Sequence, residues 1–403
     1  MSFQIALSAI QSINTQLDTI SNNIANTGTT GYKSSRTNFA AMYSGAAPTG
    51  VAAASSTQTL DINGGLLSTG RNLDVAISGS GYFMTKDSTG MTNYTRTGIF
   101  DINVNGNLVD HLGRNVQGYQ MTPGSDVLSA LGTIKVPTGQ IPAKASSVIE
   151  FAGNVSADWT TPLQAFDPAK PQSYNSSSVS VVYDSLGQQH TVTQYFVKTA
   201  NANEVQVHYF NDGNAIADSN GNPVTQLLQF NPTGQLKDMT PSALSWVPSG
   251  DKSGAEPVSV TFDYTGMTQY AGDTTTTTNS ADGYASGSMV NVQIGEDGGI
   301  NVQYSNGMKQ RVGMLALATF RSEGGLAAVD GTSWQATNAS GVALVGTPNS
   351  GQFGSLASGQ LEQSNVEVAT ELVDLMGAQR NYQANTKVIS TQNDIMQSLM
   401  QVM

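Results

Sequence analysis

The residues most able to do chemistry in this chain are few and scattered. Asp101, Asn103 and Asn105, followed by Gly106, match the first half of a calcium-binding EF-hand loop. The twelfth position is Leu112, where a bidentate Glu is required, and no helical pattern flanks the run. Asn105–Gly106 is instead a hairpin-turn signal, so a β-hairpin is expected there. His111, His190 and His208 are too scattered for the spacing of a tetrahedral zinc set and read as strand or turn residues. Gly79–Ser80–Gly81 reads as a strand connection rather than an anion cradle. Neither a G-x-S-x-G elbow nor a Walker A loop occurs. The absence of Cys removes disulfides, thiolate metal sites and thiol nucleophiles. Nothing marks two acidic residues as an acid/base pair. The expectation is no catalytic, cofactor or metal site, and a protein that is not an enzyme.

Composition narrows the classes further. Charged residues make up 11% of the 403, against about 25% in ordinary globular proteins, and Gly, Ser, Thr, Asn and Gln take their place. The formal net charge is −12, with no basic stripe, which argues against nucleic acid as a partner. No apolar run reaches the ~18 residues of a spanning helix, so no membrane insertion is expected. Before Lys33 the only charged side chain is Asp18, so the start lacks the basic n-region of a cleavable signal peptide. Export, if it occurs, is expected to use another route.

Without a chemical centre, the elements themselves carry the information. Phe3, Ile10, Leu17 and Ile24 are seven apart, and Ala6, Ile13 and Ile20 follow three residues behind the first three. This is an a/d seam of 3.5-residue period, the mark of a coiled-coil helix. It runs to about Asn26, where Thr27, Gly28 and Gly31 break it. Asn22, Asn23 and Asn26 either fray that end or hydrogen-bond across subunits. Val368, Leu375, Tyr382, Ile389, Met396 and Met403 repeat the spacing of seven, joined by Leu372, Ile395, Leu399 and Met400. Ser364 and Glu367 form a capping-box pattern, placing helices near 2–26 and 365–402.

Between these ends, segments such as "SSVSVVYDSLGQQHTVTQYFV" alternate apolar and polar residues between Gly, Asn and Asp turns and read as strands. Pro-punctuated 135–146 and Thr-rich 272–284 suggest domain borders. The expected fold is mainly β with α-helical termini. Two β domains are nested, an outer discontinuous one (71–145 with 284–358) and an inner inserted one (146–283). The helical assembly domain is 1–27 with 365–403, and an extended connector is 28–70 with 359–364. Gly28, Gly31 and Tyr32 would form its hinge.

A lone pair of such helices buries too little apolar surface to offset its ordering entropy. Neighbouring copies are the nearest supply of more, so both ends are expected to order on assembly. An intramolecular helix hairpin packed on the β domain is the other reading.

"NNIANTGTTGYK" (22–33) and "ELVDLMGAQRNYQANTKVISTQNDIM" (371–396) resemble the N- and C-terminal signatures of the bacterial flagellar axial proteins, which comprise rod, hook and hook-associated proteins. "RNLDVAISGSGYF", "VYDSLGQQHTV" and "ASGVALVGTPNSGQFGSLASGQLEQSNV" look most like the hook members, and the length favours hook over rod. The resemblance implies a hollow helical tube linking rod to filament. Terminal helices would line its inside and β domains its outside, and it would bend as a universal joint while carrying torque. It also implies export through the flagellar type III apparatus to an extracellular position. The implied partners are further copies, the distal rod protein, the hook cap protein and the hook–filament junction protein. The alternatives are a rod or junction subunit, or a secreted β-rich carbohydrate-binding or hydrolytic protein.

Overall fold

A computed structural model describes residues 2–45, 47–122, 127–218, 221–237, 243–246 and 254–402. Met403 and the side chain of Leu399 lie outside the described residues. The apolar periodicity at the two ends becomes helix α1, Ser2–Ala25, and helix α2, Val368–Val402. α1 stops where short polar side chains take over its last carbonyls. Asn26 Nδ2 donates to the Asn22 carbonyl at 3.0 Å and Thr27 Oγ1 to that of Ile24 at 2.9 Å.

α2 begins later than the capping-box pattern suggests. Ser364 Oγ accepts only the Val366 amide, and Glu367 is the residue whose carbonyl receives the first helical bond, from Glu371. Tertiary bonds hold the preceding residues extended. Asn365 Oδ1 accepts the Ser34 amide at 2.7 Å, Asn365 Nδ2 donates to the Thr59 and Ile62 carbonyls, and the Gln363 amide donates to the Gly65 carbonyl.

The stretch expected as an extended connector contains a hairpin, β1 (Ser35–Ser44) and β2 (Ala47–Gln58), paired antiparallel from Ser35↔Gln58 to Ser44↔Ala47. It lies against α1, where Ser12 Oγ donates to the Val51 carbonyl at 3.1 Å and the Thr19 and Thr37 hydroxyls meet at 2.9 Å. Small side chains permit this approach: at Gly50, with φ of +141°, a Cβ would overlap Ser8 Oγ.

Two strands then meet the returning chain. β3 (Leu66–Ser68) pairs with Gln360–Glu362, and β4 (Val75–Ser78) with Ser355–Ser358. Beyond them lies a large mixed-order sheet that includes Tyr82–Lys86, Asn115–Met121 and Lys309–Leu315. Tyr82, Tyr94, Phe320 and Trp334 fill its core with edge-on rings, the centroids of Tyr94 and Phe320 being 4.7 Å apart. Residues 1–138, 291–303 and 309–403 form one compact unit.

The second unit comprises 139–290 and 304–308. A four-stranded sheet runs Ala243–Trp246, Val258–Asp263, Val148–Asn154, Thr275–Ala281. A five-stranded one is built on the meander Ser176–Tyr183, Gln189–Lys198 and Glu204–Asn211. Alternation of buried and more open positions along 189–196 and again along 204–211 places Val192, Phe196, Val207 and Tyr209 in one core with Ile149, Phe151 and Phe262 of the other sheet. The chain is mainly β with helical termini, one β unit inserted within the other, as its patterning predicts.

One turn recurs in both units. Asp87, Asn103, Asp110, Asp184 and Asn231 each accept, through Oδ1, the amides two and four residues on. A glycine three residues on sits at φ between +78° and +90° in each. This explains the half EF-hand. Asn103 Oδ1 is turned onto its own backbone, and Phe100–Ile102 pairs with Leu108–Asp110 as a hairpin.

Candidate assembly site

Two residues of the α1 seam close on α2 within the chain. Ile13 and Ile20 of α1 pack on Ala378 of α2, with Leu17, Ile24 and Leu375 partly buried around them. At 5% exposure for Ile20 and 2% for Ala378, this is a dry contact. Ala378 escaped the sequence reading, although it follows Leu375 by three on the same face. The intramolecular hairpin therefore exists, but only over this short length.

Ala6 is also buried, whereas Phe3 and much of the described α2 seam face outward. Phe3 is 43% exposed, Tyr382 37%, Met396 53% and Met400 69%. Val368, Leu372 and Ile395 are also exposed, and Ile10 and Ile389 are half-buried. Val373, Met376 and Val388 are exposed off the heptad line, so the apolar surface of α2 extends beyond one stripe. A helix apolar on more than one face can be covered by more than one neighbour.

At the root of the helices a polar cluster replaces the expected hinge. Asn23 is buried, and its amide is fully used. Nδ2 donates to the Ser35 carbonyl at 2.8 Å and to Glu371 Oε1 at 2.9 Å, while Oδ1 accepts the Ser35 amide and the Tyr32 hydroxyl. Neither fraying nor a bond to another subunit describes it. Asn22 is exposed, and Asn26 folds back on it at 2.8 Å. Burial pushes the Tyr32 phenol up, opposed by its hydrogen bond to Ser35 and reinforced by the Glu371 charge.

Gly31 is no free pivot. Its φ is +71°, its amide donates to the Glu362 carbonyl at 2.8 Å, and a Cβ would sit 2.9 Å from Thr97 Oγ1. Gly28 alone of the three connector residues is exposed with open space around it.

Beside Gly31, fully buried Lys33 donates to Glu362 Oε1 at 2.7 Å and to the Ile62 carbonyl at 2.6 Å. Glu362 also accepts the Gly64 amide at 3.0 Å and lies 3.5 Å from Arg96 Nη1. Arg96 in turn donates to the Gly79 carbonyl and lies over the Tyr82 ring, whose hydroxyl donates to Glu323. Burial lowers the Lys33 ammonium below its ordinary value, more than the Glu362 carboxylate raises it. The sequence shows Lys33 as the first cation but gives no sign of its partner 329 residues away.

The histidines do not converge. His111 is exposed beside the Asp110 turn, His208 stacks on Phe166 at 3.9 Å, and His190 sits between Asp212 at 2.8 Å and Asp184 at 3.5 Å. Among the described residues no three His, Asp or Glu side chains are grouped to hold a metal ion. No described helix is long and apolar enough to cross a membrane.

Four family descriptions match in chain order: flagella basal body rod protein over 3–33, flagellar hook protein FlgE/F/G D1 domain over 76–157, flagellar basal body protein FlaE D2 domain over 154–284, and flagellar basal body rod FlgEFG protein C-terminal over 357–402. The flagellar hook protein FlgE of Escherichia coli strain K12 is 37% identical over 99% of both chains. That of Salmonella typhimurium strain LT2 is also 37% identical, again over 99% of each. The crystal structure of the Helicobacter pylori flagellar hook protein FlgE2 shares the fold at a TM-score of 0.54, with 12% identity, covering 75% of this chain and all of that one. Outward apolar helices at both ends of a β body, on a chain matched along almost its whole length, have one family in common: this chain belongs to the flagellar hook proteins, the structural subunits of the hook.

Proposed function

We propose that copies of this chain cover one another's helix faces to form a hollow helical tube. The tube joins rod to filament and bends while passing on motor torque. The observation that carries this reading is the exposed apolar surface of α2 at Leu372, Val373, Met376, Tyr382, Val388, Ile395, Met396 and Met400, outside the short contact that Leu375 and Ala378 make with α1. Phe3, Ile10 and the exposed heptad residues of α2 make the contacts. In this reading 1–27 with 365–403 form the inner wall, 28–70 with 359–364 the linking layer, and the β regions 71–145 with 284–358 and 146–283 the outer layers. The distal rod protein, hook cap and junction protein meet its ends. The subunit leaves the cell through the flagellar type III apparatus, and its role is mechanical rather than enzymatic.

Electron microscopy of the purified chain under polymerising conditions tests this. Tubes are expected from the full chain and none after deletion of residues 1–26. Tubes from the deleted chain would overturn the assignment of α1.

A further inference from the structure

Glu362 is a single carboxylate on which three separate parts of the chain converge. Lys33 arrives from just beyond α1, Gly64 from the approach to β3, and Arg96 from the β body; Glu362 itself lies six residues before Val368, where α2 begins. Lys33 and Glu362 are fully buried and Arg96 nearly so. Two cations therefore share one anion away from water. Removing one partner of such a group leaves an uncompensated buried charge, which costs far more than the loss of one contact.

The backbone around the group depends on the same placement. The Gly31 amide donates to the Glu362 carbonyl, the Thr59 amide to the Ser34 carbonyl, and the Gln363 amide to the Gly65 carbonyl. Thr97 Oγ1 donates to the Thr30 carbonyl from the residue next to Arg96. Both helices thus leave the β body through one polar knot. Lys33 and Arg96 repel each other until the C-terminal strand delivers Glu362.

We propose that Glu362 is a positioning residue for assembly. Its charge holds the roots of α1 and α2 in fixed register on the β body, and that register sets how neighbouring subunits fit. This deepens the tube reading and rests on it for its consequence, but the register itself is a property of the single chain.

The test uses the full-length chain in three forms: wild type, Glu362→Gln, and Glu362→Gln with Lys33→Met. Glu362→Gln keeps the size and the acceptor for Gly64 but strands two cations; adding Lys33→Met restores the wild-type charge balance with fewer hydrogen bonds. Amide exchange on dilute subunits is followed at Gly31, Thr59 and Gln363, with 82–86 and 115–121 as internal reference. The expected result is exchange at least tenfold faster at the three amides in Glu362→Gln, an unchanged reference, and substantial recovery in the double variant. An unprotected root in the wild type, no effect of the single substitution, uniform acceleration, or a double variant no better than the single one would each overturn the proposal. Tubes grown from Glu362→Gln are expected to lose the wild-type helical repeat, and those from the double variant to regain it. Wild-type tubes test the assembly reading, and amides of the free chain test the register, so the two can fail separately.

Discussion

Asn23 bonds to Tyr32, Ser35 and Glu371, the last 348 residues away in sequence. Asn23→Ala leaves a buried amide and a carboxylate with unmet bonds, and should lower unfolding stability by about 2–4 kcal/mol in denaturant titration. Asp282 offers a pH signature. Burial raises its carboxyl, but the Lys144 ammonium and the amides of Val148 and Ser147 outweigh that and hold it well below the ordinary carboxylate value. A depressed carboxyl stabilises the fold above its unfolded-state value, and that contribution is lost as pH falls through the folded value. Thermal midpoints should therefore fall more steeply below about pH 4 in wild type than in Asp282→Asn. Glu371 has the opposite sign. Burial pushes it up, its bond from Asn23 pulls it back and Asp374 raises it, so its contribution fades as pH rises through the elevated value. The bonds of Asn23 to Glu371 and of Lys144 to Asp282 are not legible in sequence, because each joins residues that only the return of the chain brings together. The Asx turns were legible, since their donors and acceptors lie within four residues.

Elements divide along the same line. Both helices could be read from the seam, because periodicity is a local property that packing did not override. The hairpin of β1 and β2 was hidden, since Ala, Gly, Ser and Thr describe a flexible linker and a strand pressed against a helix equally well. The start of α2 was misjudged because Asn365 serves Ser34, Thr59 and Ile62 rather than a helix cap. Two substitutions separate the closed and open parts of the seam. Ile20→Ala opens a void against Ala378 and should cost about 2–4 kcal/mol in the free chain. Tyr382→Asp alters an exposed side chain, so free-chain stability should stay within about 0.5 kcal/mol while tube formation is lost by microscopy. Gly31→Ala must take φ of +71° and crowd Thr97, and should destabilise the root by more than about 1 kcal/mol in the same titration.

At the scale of the whole molecule, the nested order of helix, β unit, inserted β unit, the outer β unit again and helix follows from composition shifts at 135–146 and 272–284. The compact units divide near them, at 138/139 and 290/291. The short exchange of 304–308 into the inserted unit had no sequence signal, being a turn within a strand pair. The central claim is that the outward apolar faces of α1 and α2 are completed by identical neighbours. Amide exchange along α2, compared between dilute subunits and assembled tubes of the same protein, addresses it most directly. Residues 382–402 should exchange quickly in the free chain and gain at least a hundredfold protection in the tube, while 189–211 in the inserted unit stays unchanged. Equal protection of 382–402 in both states would contradict it.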